Sequence, residues 1–268
     1  MTGTEHVAPF ACYRCPFKHA GPESCGLACA DMVSYVLEKE GDVAAVIAEP
    51  MRAIPYLPPP GYWRRVREAC DRHGALLIFD EIPTGLGKTG RFFASEHEGV
   101  VPDIMVLGKA LGGGILPIAA MIARHDLDVA GDFAIGHYTH EKNPVTTRAA
   151  LTTIEIIRED GLVERASELG AAAMARLREL TTRSPHVGDV RGRGLLLGVE
   201  IVEDRATRAQ ARDRAERIYY RCLENGLNFK VSGGNVLTLS APLVISRQDL
   251  DRALGIVEDA ILAETGMA

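Results

Sequence analysis

The chain has no surplus of positive charge: 30 lysines and arginines stand against 36 aspartates and glutamates, a formal net charge of −6. A surface that holds nucleic acid through phosphate contacts needs the opposite balance, so no nucleic-acid partner is expected. Long hydrophobic runs are also missing. None approaches the roughly 18 residues of a spanning helix, and no membrane association is expected. The opening stretch MTGTEHVAPF lacks the charged-then-apolar layout of a secretory signal, which leaves a cytoplasmic chain with reduced cysteines as the expectation. The eight histidines do not fall at metal-ligand spacing, and internal repeats and low-complexity tracts are absent. What remains is ordinary globular material, 47% hydrophobic and 25% charged over 268 residues. That is enough for one large domain or two modest ones.

Four of the six cysteines crowd the start of the chain. Cys12, Cys15, Cys25 and Cys29 share an irregular stretch with Pro9, Pro16, Gly21 and Pro22. Paired cysteines at short spacing can close a zinc tetrahedron. The alternative is four small, partly buried thiols, and it is favoured by the closeness of the two pairs and the lack of a following His pair. No metal is therefore assigned. A helix is expected over residues 25–40, with Leu27, Val33, Val36 and Leu37 on its apolar face.

A repeated grammar of short apolar strand, turn and helix follows. Val43–Ala48 is an apolar run ending in Glu49-Pro50, and a Pro-rich connection leads to a helix around Trp63–His73 that Gly74 stops. Ala75–Phe79 is a second strand ending in Asp80-Glu81, Asp103–Leu107 a third ending in Gly108-Lys109, and Ile118–Ile122 a fourth. Continuous apolar strands alternating with helices imply an α/β fold whose sheet is mainly parallel and covered on both faces. Function in such sheets collects beyond the carboxyl ends of the strands. Glu49, Asp80 and Lys109 fall there. After Asn143-Pro144 come two helical stretches broken at Gly161, a strand over 195–202, a helix over 206–224, strands over 228–232 and 236–240, and a last helix over 247–265. This reads as a smaller α+β domain. The expected division is 1–158 and 159–268.

Lys109 follows a buried strand and precedes Ala-Leu-Gly-Gly-Gly. A partly desolvated lysine is a good amine nucleophile for Schiff-base chemistry, and glycines let the backbone approach a planar ligand closely. Asp80, at the end of the neighbouring strand, is placed to hold a protonated ring nitrogen. Taken alone, each favours the structural reading, a solvated lysine and a helix-capping aspartate. Their spacing within one α/β grammar is what joins them.

The string FDEIPTGLGKTGRFFASEHEGVVPDIMVLGKALGGGILPIAAM resembles the heart of the class III aminotransferases, pyridoxal-phosphate (PLP) enzymes of fold type I. YRCPF, AEP, HYTHEKNP, VRGRGLLLGVE and SAPLVIS fall in that family's order, so the resemblance covers nearly the whole chain. It implies that Lys109 forms the Schiff base with PLP and shuttles the substrate proton. It further implies that Asp80 pairs with the pyridine nitrogen, that Ile82 packs on the ring, and that Thr139 reaches the cofactor phosphate of the other subunit in a homodimer with shared active sites. Glu49 would line the substrate side. The implied activity is transfer of an amino group from an amine or amino acid to a carbonyl acceptor such as a keto acid.

Several positions depart from the family pattern. Pro83 stands where a glutamine commonly contacts the ring oxygen, and Glu141-Lys142 replace a Gly-Gly, with His140 before them. Ala241 replaces a proline in a neutral exchange. Thr238 stands where many members carry an arginine that clamps a substrate carboxylate, and its loss weakens the case for a glutamate-like substrate bound in the usual way. The HYTHEKNP and FKVSGGNVLTLS strings look most like a subgroup of hydroxy-aminoethylphosphonate ammonia-lyases, which opens elimination as an alternative reaction. Arg52, Lys142 and Lys230 are then candidates for holding a phosphonate, or plain solvated charges. His137 and His140, three apart in a loop by the site, are expected in hydrogen-bonded structural roles, with an active-site role as the alternative. Arg191 and Arg193 are expected to brace the two domains or to touch a substrate anion. Family members also carry, ahead of the YRCPF region, a Gly/Ser loop that cradles the phosphate and an aromatic residue that stacks on the ring. Only eleven residues precede Cys12 here. The large domain is therefore expected to be partial, and the chain alone is expected to bind PLP poorly or to be inactive.

Overall fold

The computed structural model describes residues 3–133, 136, 139, 141 and 143–264. The chain divides into two compact units. The first gathers the residues up to Met51 with Leu57–Leu86 and Phe93–Asp160. The second gathers Arg52–Tyr56, Gly87–Phe92 and the residues from Gly161 onward.

The first unit contains helix α1 (Ala28–Glu40), strand β1 (Ala45–Ala48), helix α2 (Tyr62–His73), strands β2 (Leu76–Asp80), β3 (Ile104–Leu107) and β4 (Ala120–Ala123), and helix α3 (Pro144–Glu159). The strands lie in the order β1-β2-β3-β4, the first three parallel and β4 antiparallel at the edge. Glycine ends both leading helices in the left-handed region: Gly41 at φ 73° and Gly74 at φ 69°, each returning its N–H to the last turn. Asn143 caps α3 through its side chain, with Pro144 in the first helical position.

Burial alternates along β2, with Leu77 and Phe79 fully buried. On that face Trp63 of α2 meets the Phe79 ring edge-on at 4.6 Å and donates its indole N–H to Pro50 O at 2.7 Å. Phe10 and Tyr62 complete the aromatic cluster. The register puts Ile47, Ile78 and Ile104 together on the opposite face, where Ile47 is 65% exposed. The apolar strands thus do not signify a sheet covered on both faces within this unit: Leu77 and Phe79 pack under α2, while β1 leaves its isoleucine to solvent. Asp103 at the start of β3 is buried and accepts from Leu77 N, Arg67 and Arg124. Burial alone would push its carboxyl up, but these donors outweigh it and hold the group below the ordinary range.

The second unit is a four-stranded antiparallel sheet with three helices. Its strands are β5 (Val187–Arg193), β6 (Leu196–Ile201), β7 (Lys230–Ser232) and β8 (Val236–Ser240), in the order β5-β6-β8-β7. Helices α4 (Leu162–Arg183), α5 (Arg212–Glu224) and α6 (Arg247–Ala263) supply a continuous core with it, including Leu177, Leu180, Ile201, Ile218, Leu237 and Ile261. Arg191, Gly192 and Arg193 end strand β5, a strand not expected from the sequence, and Gly194 lies in the turn to β6. Gly192 hid that strand in the sequence: at φ 146°, a Cβ there would stand 2.3 Å from Leu196 O, so the hairpin closes only on glycine. No described helix is long and apolar enough to cross a membrane.

Candidate functional site

The carboxyl ends of the three parallel strands set the site. Ala48 pairs with Phe79, so Glu49, one residue further, lies level with Asp80. Asp80 itself pairs with Val106, and Glu81 N donates to Val106 O at 3.0 Å. The chain then runs through Leu107, the last residue of β3, and Gly108 to Lys109.

Lys109 opens a short 3-10 turn ending at Gly112 and holds φ at 45°, one of the few non-glycine residues in the left-handed region. For a side-chain-bearing residue that conformation costs on the order of 1–2 kcal/mol. Strain of this kind is tolerated where the surroundings over-determine it, and it clusters at functional sites. The Lys109 side chain is exposed, and its amine makes no hydrogen bond or ion pair among the described residues. Gly113, at φ 68°, lies so close to α3 that a Cβ would stand 3.0 Å from Thr153 Oγ1. The lysine turn therefore rests on a helix rather than on a loose loop.

Asp80 is half-buried and accepts at Oδ1 from the N–H of Ile82 at 2.9 Å. That bond orients the carboxylate and leaves its second oxygen for another donor. The Ile82 side chain lies against Gly108: a Cβ on that glycine would contact it at 3.5 Å. Asp80, Ile82 and the Gly108-Lys109 turn are thus gathered in one place. Pro83 is half-buried beside them. Glu49 is also half-buried, at the end of β1.

The remaining expected residues are placed differently. Thr139 is exposed, while His137, His140 and Lys142 lie outside the described residues. Arg52 and Lys230 belong to the second unit. The Arg52 guanidinium lies 5.8 Å from the Tyr56 ring centroid, and Lys230 is exposed on the edge strand β7. Thr238, in β8, is buried and donates to Ser232 Oγ at 2.9 Å. Arg191 is committed inside the second unit, at 2.7 Å from Asp189, 2.6 Å from Glu200 and 4.3 Å from the Tyr56 ring. Two carboxylates already neutralise it, so it offers little to a substrate anion.

Two groups were not singled out from the sequence. Glu81 is 1% exposed, and burial pushes its carboxyl above the ordinary value, against the pull of donors from Ser95, Thr84 and Ala94. Lys88, in the second unit, is half-buried and donates to Ala241 O at 2.6 Å. Burial holds its amine below the ordinary lysine value. The only sequence signal for either was a charged residue inside a stretch of small and apolar neighbours.

The four N-terminal cysteines line one small cavity of about 10 Å³ together with Pro9, Phe17 and His19. Among the described residues, no three His, Cys, Asp or Glu side chains are arranged to hold a metal ion. Burial, with help from Cys25 and Cys12, pushes the Cys29 thiol up to about 11, which disfavours the thiolate that metal binding or oxidation needs.

Comparison with known proteins gives a consistent result. The family described as aminotransferase class-III matches residues 3–261. An (R)-1-hydroxy-2-aminoethylphosphonate ammonia-lyase of Vibrio splendidus is 42% identical over 97% of this chain and 57% of its own length. A leucine/methionine racemase of Thermococcus litoralis is 43% identical over 96% of this chain and 59% of its own. The structure of an amine transaminase from an uncultivated Pseudomonas species, in its PLP-bound form, superposes with a TM-score of 0.90. It is 31% identical, and the match covers 97% of this chain and 61% of that one. The chain therefore spans about three fifths of the length of these relatives.

Proposed function

The chain belongs to the class III aminotransferase family, and on that premise we propose that it is a PLP-dependent aminotransferase with Lys109 as the covalent attachment point. The observation that carries this reading is the pairing of β2 with β3, which sets the oriented Asp80 carboxylate beside the strained Lys109 turn. The residues suit the group. Among the described residues the Lys109 amine has no partner and Asp80 has one oxygen without a donor, which meet the demands of its aldehyde and its ring nitrogen, and the Ile82–Gly108 contact meets that of a flat apolar ring. When bound, PLP supplies an electron-withdrawing ring that stabilises negative charge at the substrate carbon.

The chain's own residues do the rest. Asp80 keeps the ring nitrogen protonated by accepting its hydrogen bond. Ile82 covers one ring face and excludes water. With the cofactor held there, the Lys109 amine would move the proton of the substrate carbon, first as general base and then as general acid. Pro83 has no side-chain donor and leaves the ring oxygen to other groups. In the same reading Thr139 serves the phosphate of a partner subunit in a homodimer with shared sites, and Glu49, Arg52 and Lys230 face the substrate, a small amine with a keto acid as acceptor. Six free cysteines support a cytoplasmic setting.

The test is direct. Protein incubated with PLP and reduced with borohydride should carry the reduced cofactor on Lys109 by peptide mass analysis, and Lys109→Ala should carry none. Labelling spread over surface lysines would sink the assignment.

A second reading, ammonia elimination from a hydroxy-aminoalkylphosphonate or a similar substituted amine, is favoured by one specific position. Thr238 spends its hydroxyl on Ser232 inside the second unit and offers no guanidinium to a substrate carboxylate. The 42% identity to the Vibrio ammonia-lyase supports the same reading. An amino donor given without a carbonyl acceptor separates the two. Transamination stops after one turnover with the cofactor in its amine form, whereas elimination continues to release ammonia.

A further inference from the structure

We infer that Glu81 is a positioning residue: a buried carboxylate that fixes the turn carrying Asp80 and Ile82 by tying it to the segment at Ala94–Ser95. The inference rests on the reading of Asp80 and Ile82 as cofactor-facing residues. It adds a part for the second carboxylate of the Asp80-Glu81 pair.

The geometry carries it. Glu81 is 1% exposed, and so are its surroundings only slightly: Thr84 0%, Ala94 4% and Ser95 4%. Its Oε2 accepts from Thr84 Oγ1 at 2.7 Å and its Oε1 from Ser95 N at 2.8 Å. Its main chain is as fully used. Glu81 N donates to Val106 O at 3.0 Å, and Glu81 O accepts from Thr84 N at 3.2 Å and Gly85 N at 2.8 Å. A Cβ on Gly85 would stand 3.0 Å from that same carbonyl, so the turn is wound as tightly as glycine allows. Glu81 thereby joins β2, β3, the 82–85 turn and the 94–95 segment through one residue. Asp80 and Ile82 are its two chain neighbours, and the bond between them, Ile82 N to Asp80 Oδ1 at 2.9 Å, is what aims the proposed cofactor carboxylate.

Among the described residues, no cation pairs with Glu81. The groups acting on it are burial and the donors of Ser95, Thr84 and Ala94. A carboxylate without a counter-ion adds nothing by charge to such a site and is costly to bury. Its value here is as a two-oxygen acceptor of fixed length. Glutamine keeps that length, keeps an acceptor for Ser95 N, and can donate to Thr84 Oγ1. Alanine leaves the Ser95 amide and the Thr84 hydroxyl buried without partners.

The experiment is a comparison of Glu81→Gln with Glu81→Ala in the full chain, read first without cofactor by amide hydrogen exchange. In Glu81→Ala the amides of both Ser95 and Ile82 should exchange about tenfold faster or more, while in Glu81→Gln both should stay within about threefold of wild type. The second reading is PLP affinity by absorbance titration, expected to weaken about tenfold or more in Glu81→Ala and to be retained in Glu81→Gln. An unchanged Ile82 amide in Glu81→Ala, with only Ser95 opened, overturns the inference, because Glu81 would then anchor the 94–95 segment and nothing else. Equal damage in both variants overturns it as well, since charge rather than shape would be at work. If wild type fails to take PLP onto Lys109, it is the cofactor reading that falls. The exchange data, taken without cofactor, still decide whether Glu81 sets the Asp80–Ile82 bond.

Discussion

At the scale of single residues, the Lys109 backbone and the Lys109 amine make opposite demands. The amine is the proposed attachment point, and the backbone is held at φ 45°, where glycine rests without strain. Lys109→Gly is therefore expected to unfold in urea at a concentration no lower than wild type, because relief of about 1 kcal/mol offsets the added freedom of glycine in the unfolded chain. Lys109→Ala keeps the strain and should show no such relief. Both variants should lose turnover by about a thousandfold. A marked loss of stability in the glycine variant would mean that the turn depends on the lysine side chain. Asp80→Asn separates charge from geometry at the neighbouring strand. Asparagine keeps an oxygen for Ile82 N, so the unfolding midpoint should hold while turnover falls about a hundredfold. Wild-type turnover in that variant would remove Asp80 from the chemistry.

At the scale of elements, the hairpin between β5 and β6 shows how closely the second unit is packed. A Cβ on Gly170 of α4 would stand 2.2 Å from Gly194 O, and one on Gly194 would stand 2.4 Å from the Thr89 carbonyl carbon. These neighbours are backbone and cannot swing aside. Gly170→Ala should cost about 3 kcal/mol by urea unfolding, whereas alanine at Gly131, with nothing within 4 Å among the described residues, should cost well under 1 kcal/mol. The same crowding explains what could be read from the sequence. The parallel strands and their carboxyl-end residues were legible because apolar runs of four or five residues end abruptly in Glu49, Asp80 and Lys109, and Gly41 and Gly74 mark helix ends by chemistry local to the chain. β5 was not legible, since its glycines serve contacts with β6 that are distant in pattern though near in space. The open face at Ile47 was hidden too. An apolar side chain reads alike whether its cover comes from its own unit or not. Glu81 did not stand out in the sequence because Ser95 N, fourteen residues on, is what justifies its burial.

At the scale of the whole molecule, buried ionisable groups set how stability responds to alkali, and they pull in opposite directions. Burial holds Lys88 below its ordinary 10.5, so the folded chain releases that proton at lower pH than the unfolded chain does. The penalty for a buried ammonium is fully present below the folded value and fades as pH rises toward 10.5. Lys88 therefore favours folding as pH rises. Cys29, Cys70 and Cys222 do the reverse, because burial pushes each from 9.0 up to about 11. Above pH 9 the unfolded chain ionises these thiols while the folded chain still holds their protons, so stability drains away between about 9 and 11. Three thiols oppose one amine, and the balance should fall to the thiols. With reductant present, the wild-type urea midpoint is expected to fall steadily from pH 8.5 to about pH 10.5. Cys222→Ala should fall less steeply, one draining group having been removed. Lys88→Met should fall more steeply, because it lacks the only compensating gain among these four, and near neutral pH it should be at least as stable as wild type. A Lys88→Met curve parallel to wild type would mean that the Lys88 ammonium is solvated through its bond to Ala241 O well enough to keep its ordinary acidity, and a wild-type midpoint that rises across this range would mean that the Lys88 gain outweighs the three thiols.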